Sequence, residues 1–385
     1  MSHGAKPDDP RALVERLHAT PHRLVYAFAG AGAKVLYWLH DVPGSSRTVL
    51  EAADRYHPSS LRDALDGAAD GSASGGVAGA LAAVSHRRAQ QLTVGDDEAT
   101  PTFGVGVAAA LTTDRQRRGE DRAHIASRDV LGTSGLTLRF EKGAWSRHDQ
   151  ETLVSRWALT EMARSSGLMG PFQPATQAGV VVEPWFTPSE VYRTFLDDPQ
   201  ALLVLNTTGH VAEAREPQET TAWVSGSFHP MHEGHRLLAA RAEAHLGRKV
   251  GYELALKNAE KAETDALEGR RRAQQAWGDR PVALSHAALF HVKAERFPGA
   301  VFVVGVDTAR RVLDPSFYGG EDAMASSLAR IQALGCRFLV AGRYAEGSFR
   351  TLADLAVPEV WSPLFEALPD FRKDLSSTEV RAGWS

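Results

Sequence analysis

His232 and His235 are separated by Glu233 and Gly234 and preceded by Gly226-Ser227-Phe228-His229-Pro230-Met231. Residue types in this pattern suit one chemistry, contact with phosphate. Glycine lets the backbone come close to an anion, and serine and backbone N–H groups donate to its oxygens. An imidazole can donate as well and, if protonated, offsets charge that develops there. To act together these residues must open a helix, where unpaired N–H groups and the positive end of the dipole are presented. The flanking sequence meets that need. Residues 221–225 are short and mostly apolar, as in a strand, and the stretch from Glu233 carries Leu237, Leu238, Ala240 and Ala244 at helical spacing. A loop that is merely rich in Gly, Pro and His is the bland alternative.

Other candidate site residues follow in order. Lys257 comes after an apolar segment, residues 250–256, that reads as a strand. Residues 300–306 form a continuous apolar run, which suits a central parallel strand buried on both faces. It ends in Gly305-Val306-Asp307, so Asp307 lies at the carboxyl end, where open parallel sheets bind ligands. Capping a helix is its other use. Residues 337–341 read as the next strand and lead to Gly342-Arg343. Near the end, Ser376, Ser377 and Thr378 open a helix whose hydroxyls and N–H groups can hold phosphate oxygens, with Arg381 one turn on as a permanent charge. A serine-rich cap with a nearby Glu is the alternative. Arg270, Arg271 and Arg272 are consecutive on a polar helix, so they cannot all face one ligand, and a solvated face is the default.

Taken together, these motifs resemble those of the nucleotidyltransferase superfamily, in which a [His/Thr]-x-Gly-His motif opens the first helix of a Rossmann-like domain. The form Gly-Ser-Phe-x-Pro-x-His-x-Gly-His is most similar to nicotinamide and nicotinate mononucleotide adenylyltransferases. Val340-Ala341-Gly342-Arg343 and Leu375-Ser376-Ser377-Thr378-Glu379-Val380-Arg381 resemble two further motifs of that family, and residues 257–262 resemble its Asn-x-[Asp/Glu]-Lys-Pro loop, with Ala262 where proline is usual. The resemblance implies His232, His235 and Arg381 as catalytic residues. It implies Gly226, Ser227, Phe228, Gly234, Lys257, Asp307, Arg343, Ser376, Ser377 and Thr378 as ATP- or substrate-binding residues. It implies no protein metal ligands, and Mg2+ carried on the nucleotide phosphates.

The first 165 residues repeat the strand, glycine loop, helix pattern once: residues 23–28, Ala29-Gly30-Ala31-Gly32, then residues 33–39. Alone, such a loop more often serves close helix packing than phosphate binding. The continuation His40-Asp41-Val42-Pro43-Gly44-Ser45-Ser46 resembles the C-terminal domain of the competence-damage protein CinA, the nicotinamide mononucleotide amidohydrolase family. Carried over along the sequence, that family's serine nucleophile falls on Ala29, its tyrosine on Tyr56 and its lysine on Leu61. Alanine cannot attack an amide and leucine cannot lower a neighbour's pKa, so this domain is expected not to deamidate by the family's mechanism. Residues 112–122 hold four arginines and three acidic residues, and read as a solvated turn rather than an anion site.

Length and composition frame these sites. A chain of 385 residues is too long for one ordinary domain. The expected order is a CinA-like α/β domain over 1–165, a connector over 166–218, and a Rossmann-like nucleotidyltransferase domain with a parallel sheet over 219–385. A net charge of −4, from 43 basic and 47 acidic residues, gives no general field for nucleic acid or an anionic membrane. The single cysteine, Cys336, excludes an intrachain disulfide and a cysteine-rich metal site, and fits a reducing compartment. The first residues lack an apolar signal core, and no apolar run approaches the ~20 residues of a membrane helix. The expectation is a soluble cytoplasmic protein whose partners are ATP and a mononucleotide, with homo-oligomerisation left open.

The expected function is adenylyl transfer from ATP to nicotinamide or nicotinate mononucleotide with release of pyrophosphate. Two alternatives stand beside it. One is a non-catalytic protein that binds a pyridine nucleotide. The other is a transferase for another phosphorylated acceptor, such as pantetheine, choline or glycerol phosphate.

Overall fold

A computed structural model describes residues 9–67, 73–96, 100–114, 118–170, 173–174, 177–212, 221–257, 264–345, 348–369 and 371. The chain divides into two compact units, Met1–Thr194 and Phe195–Ser385. Both are α/β, as expected.

The first unit contains α1 (Pro10–His18), β1 (Arg23–Ala29), α2 (Ala33–Asp41), α3 (Ser45–Thr48), β2 (Val49–Asp54), α4 (Pro58–Ala64), α5 (Gly75–Leu92), β3 (Thr102–Ala110), β4 (Asp121–Asp129), β5 (Gly132–Phe140), α6 (Arg147–Ser165) and β6 (Val180–Pro188). The six strands form one sheet in the order β2-β1-β3-β4-β5-β6. β1 runs parallel to β2 and β3, and the remaining pairs are antiparallel. Alternation along β1 serves two cores. Leu24, Tyr26 and Phe28 pack with residues of α1, α2 and α6, while Ala27 packs with Leu61 of α4 and Val77, Ala78 and Leu81 of α5. The second layer is tight: a Cβ on Gly104 or Gly106 would stand 2.2 Å from the backbone of α5. These two glycines let the helix lie directly on β3. The arginine-rich segment expected as a turn connects β3 to β4, and its residues 115–117 lie outside the described residues. β4 itself was not foreseen, because Asp121, Arg122, Arg128 and Asp129 mask the alternation of its middle.

The second unit contains the end of α7 (Glu190–Asp197), most of which belongs to the first, then β7 (Leu202–Leu205), β8 (Ala222–Gly226), α8 (Glu233–Leu246), β9 (Val250–Ala255), α9 (Ala266–Gln274), β10 (Val282–Ser285), α10 (Phe290–Arg296), β11 (Val301–Gly305), α11 (Val306–Val312), α12 (Glu321–Ala333), β12 (Arg337–Ala341), the antiparallel pair β13 (Arg343–Ala345) and β14 (Ser348–Arg350), and β15 (Phe365–Leu368). The segment expected as a connector thus supplies β6 to the first sheet and β7 to the second.

The second sheet has the order β15-β12-β11-β8-β9-β10-β7. All neighbours from β15 to β10 are parallel, and β7 adds an antiparallel edge. Counted from β8, the parallel strands run 3-2-1-4-5-6, the doubly wound order. The chain changes direction of travel across the sheet between β8 and β11, which opens a crevice beyond the carboxyl ends of those two strands. β11 is buried along Val301–Val304, as its apolar run required. Phe302, Val304, Phe338 and Val340 pack with Ala294, Ala309, Leu328 and Ile331 of α10, α11 and α12.

Candidate functional site

The motif 226–235 leaves β8 at the crevice and enters α8 at Glu233, with His232 as N-cap. Its path is fixed by a buried aromatic and a clamp. Phe228 has φ of 42°, a left-handed conformation unusual outside glycine. That places its ring edge-on to His235, at 5.1 Å, and to Tyr252, at 5.3 Å. Gln275, just past α9, holds the loop through both ends of its amide. Nε2 donates to the Phe228 carbonyl at 3.0 Å, and Oε1 accepts from the Met231 N–H at 2.7 Å. Arg272 Nη1 donates to the Ser227 carbonyl at 3.4 Å and Nε to Glu268 at 2.8 Å. Arg236 reaches Asp279 and the Gln275 carbonyl, and the Tyr252 hydroxyl donates to the same Asp279 at 2.8 Å. The three consecutive arginines separate as helical geometry demands: Arg270 is buried, while Arg272 braces the loop.

The two histidines act as a unit. The backbone N–H of His232 donates to Nδ1 of His235 at 3.2 Å, and the rings stack with centroids 3.8 Å apart. With Nδ1 accepting, the neutral ring carries its proton on Nε2. Burial, reinforced by His232, Arg236 and Arg343, lowers the His235 pKa to about 3. His235 is therefore a neutral donor at physiological pH, and the protonated form weighed from sequence is not the one this site holds.

Arg343, at the start of β13, pairs with Asp307 at 3.1 Å. Asp307 lies in the first turn of α11 but makes no side-chain cap there; the N-cap is Gly305. The electrostatic influence of Arg343 on His235 joins this pair to the histidines. The carboxyl ends of β8, β11 and β12 therefore bring His232, His235, Asp307 and Arg343 into one neighbourhood.

Beside it lies a cavity of about 290 Å³, lined by Gly226, Ser227 and Lys257 among the residues expected from sequence. Sequence reasoning missed Lys293 and Arg311, which line it too. Lys293 is 5% exposed and its ammonium pairs with Glu253, which is fully buried. Ser285 donates to the other Glu253 oxygen at 2.6 Å. A single Lys on an otherwise apolar helix face was the only sequence signal. Ser376, Ser377, Thr378 and Arg381 lie outside the described residues, as do residues 258–263 after Lys257. Among the described residues no group of three His, Cys, Asp or Glu is arranged to hold a metal ion, and no helix is long and apolar enough to cross a membrane.

In the first unit, Ala29, Tyr56 and Leu61 line one cleft of about 220 Å³. Ala29 thus meets Tyr56 and Leu61 from a later segment, but alanine and leucine stand at two of the three positions. The glycine loop does not offer its donors outward. The N–H groups of Gly32 and Lys34 donate to the Glu151 carboxylate at 3.0 and 3.3 Å, and Arg147 donates to the Gly30 carbonyl at 2.7 Å. Gly32 itself has φ of 106°, and a Cβ there would collide with the Tyr26 hydroxyl. The loop is built for packing, with a carboxylate of the chain filling the place of an anion.

No protein-family model and no curated protein matches the sequence. Among solved structures, the competence/damage-inducible protein CihA from Agrobacterium tumefaciens is similar at 19% identity, over 42% of this chain and 97% of that one, with a TM-score of 0.32. A CinA superfamily protein from Escherichia coli has 16% identity over 42% of this chain and 92% of its own, with a TM-score of 0.34. One from Enterobacter cloacae has 14% identity over 42% and 95%, with a TM-score of 0.34. These similarities fall on the N-terminal part of the chain, and at this degree of likeness they carry no functional inference.

Proposed function

We propose that the second unit transfers an adenylyl group from ATP to a mononucleotide, nicotinamide or nicotinate mononucleotide, and releases pyrophosphate. The observation that carries the reading is the convergence of His232, His235, Asp307 and Arg343 at the reversal point of a 3-2-1-4-5-6 sheet, beside a cavity lined by Lys257, Lys293 and Arg311. In-line attack by the acceptor phosphate on the α-phosphorus needs no covalent intermediate. The chain's work is then positioning and charge stabilisation. His235, fixed as the Nε2–H tautomer, donates to a phosphate oxygen, and Arg343 supplies positive charge. By the motif resemblance, Ser376, Ser377, Thr378 and Arg381 hold the phosphates that leave. Mg2+ would arrive on ATP, bridging phosphate oxygens and keeping most of its water.

The test is incubation with ATP, Mg2+ and a panel of phosphorylated acceptors, with pyrophosphate measured. Release only with a pyridine mononucleotide is expected. Release with pantetheine, choline or glycerol phosphate instead would move the acceptor, and binding without release would make the protein a sensor. Alanine at His235 is expected to lower kcat by about 10²–10³-fold, the usual effect of removing one preorganised donor. An unchanged rate would sink the assignment.

A further inference from the structure

Two chemically different sets of side chains line the cavity. Lys257 at the end of β9 and Arg311 on α11 bring the charge that a phosphate calls for, together with Ser225 and Ser227 from the end of β8. The Ser225 hydroxyl has no hydrogen-bond partner among the described residues. The other set is apolar and aromatic, with Leu289, Phe290, Phe317 and Tyr318. Lys293 adds a charge of a different kind beside Phe290. Phe290 and Lys293 are one turn apart on α10, and the ammonium lies 5.0 Å from the centre of the Phe290 ring. The ammonium is already neutralised by Glu253, which is 0% exposed and accepts from Ser285 on its other oxygen.

We propose that the Glu253–Lys293 pair makes this cavity selective for an acceptor whose ring bears an uncharged carboxamide over the same acceptor bearing a carboxylate. The inference rests on reading the cavity as the acceptor site of the proposed transfer. An ammonium has three N–H donors, and Glu253 does not occupy them all. A carboxamide oxygen accepts one of the others, and no charge is added to an ion pair that is already balanced. A carboxylate at the same place puts a second negative charge beside a fully buried one, with a single cation between them. Its desolvation is then uncompensated, and repulsion from Glu253 adds to the cost. An unpaired lysine on the same wall would favour the acid, so the preference is set by Glu253 even though Lys293 makes the contact. Phosphate recognition is assigned to Lys257 and Arg311, which come from other elements, past the end of β9 and on α11.

The test uses the full chain with nicotinamide mononucleotide and nicotinate mononucleotide. Two readouts run in parallel: kcat/KM with ATP and Mg2+, and calorimetric affinity for each mononucleotide without ATP. The amide is expected to be preferred by about tenfold or more in both. The double variant Glu253→Gln/Lys293→Met removes both charges at once and leaves neither buried alone, which favours a folded protein. Its preference is expected to fall to within about threefold of unity. A wild-type ratio near one, or in favour of the acid, overturns the inference. So does a folded double variant that keeps the wild-type ratio, or a wild-type protein that binds neither compound. If the amide binds tenfold tighter while no pyrophosphate forms with any acceptor, the selectivity stands and the transfer reading falls.

Discussion

The His232 backbone N–H points at Nδ1 of His235 at 3.2 Å, so one histidine sets the tautomer of the next. The pair has a pH consequence whose sign follows from burial. His235 is held at a pKa of about 3, well below the ordinary 6.5, chiefly because burial disfavours its charged form. Its contribution to stability is complete above pH 6.5 and is lost as pH falls from 6.5 towards 3, where the unfolded chain takes a proton that the folded site refuses. The slope it adds is at most about 1.4 kcal/mol per pH unit. Urea unfolding between pH 4 and 7 should show that wild type loses stability faster on acidification than His235→Gln does. Equal slopes would mean that the imidazole is not held neutral. In the same range the rate should show no limb from His235 near pH 6.5.

Gln275 touches only the backbone of the motif, at Phe228 and Met231, so it is a positioning residue. It is 6% exposed, and alanine there removes the partner of the buried Phe228 carbonyl and of the part-buried Met231 N–H. That should cost about 1–3 kcal/mol. A merely structural role would lower stability and leave the folded fraction fully active. Under the positioning role, kcat per folded molecule drops for Gln275→Ala while KM for the acceptor moves little. Stopped-time pyrophosphate assays on material whose folded fraction is measured by circular dichroism separate the two.

Much of this neighbourhood was legible before any coordinates. Helix α8 begins at the motif, where His232 is the last extended residue and Glu233 the first helical one. The apolar run of β11 announced a strand buried on both faces, and that placed Asp307 at its end. Other parts left weaker traces. Met324, Leu328 and Ile331 sit at helical spacing on α12, but the small and polar residues between them dilute the stripe. The pairing of Glu253 with Lys293 left no signal beyond the lone Lys on its helix, since a charged residue inside a strand and another inside a helix have no spacing rule that joins them. Gln275 likewise is one polar residue after a polar helix, and its role exists only in the folded loop. The neutral state of His235 follows from desolvation, which no motif encodes.

Asp307 and Arg343 are both part-exposed, with side chains 35% and 43% accessible, so their ion pair should contribute little to folding. Asp307→Asn is expected to change stability by no more than about 1 kcal/mol, yet to weaken ATP binding by about tenfold if the pair forms part of the nucleotide site. Arg343→Ala carries a second readout. Arg343 is one of the charges that lower the His235 pKa, so its removal should raise that pKa. NMR titration of the His235 ring measures the change, and a pKa that stays put in Arg343→Ala would place Arg343 outside the histidine neighbourhood.

The first unit makes a contrasting prediction. Its cleft has Ala29 and Leu61 where a nucleophile and an ammonium would be needed, and the N–H groups of Gly32 and Lys34 are spent on Glu151. The full chain given nicotinamide mononucleotide without ATP should release no ammonia, and a coupled glutamate dehydrogenase assay would detect any that forms. Glu151→Ala should destabilise this unit by about 1–3 kcal/mol, because the N–H groups of Gly32 and Lys34 and the Ser155 hydroxyl lose their acceptor. If Glu151 instead stands in for a ligand phosphate, Glu151→Ala would regain stability with phosphate or a mononucleotide in the buffer. No such rescue is expected, since Gly32 is held against Tyr26 by packing that a bound anion would not replace.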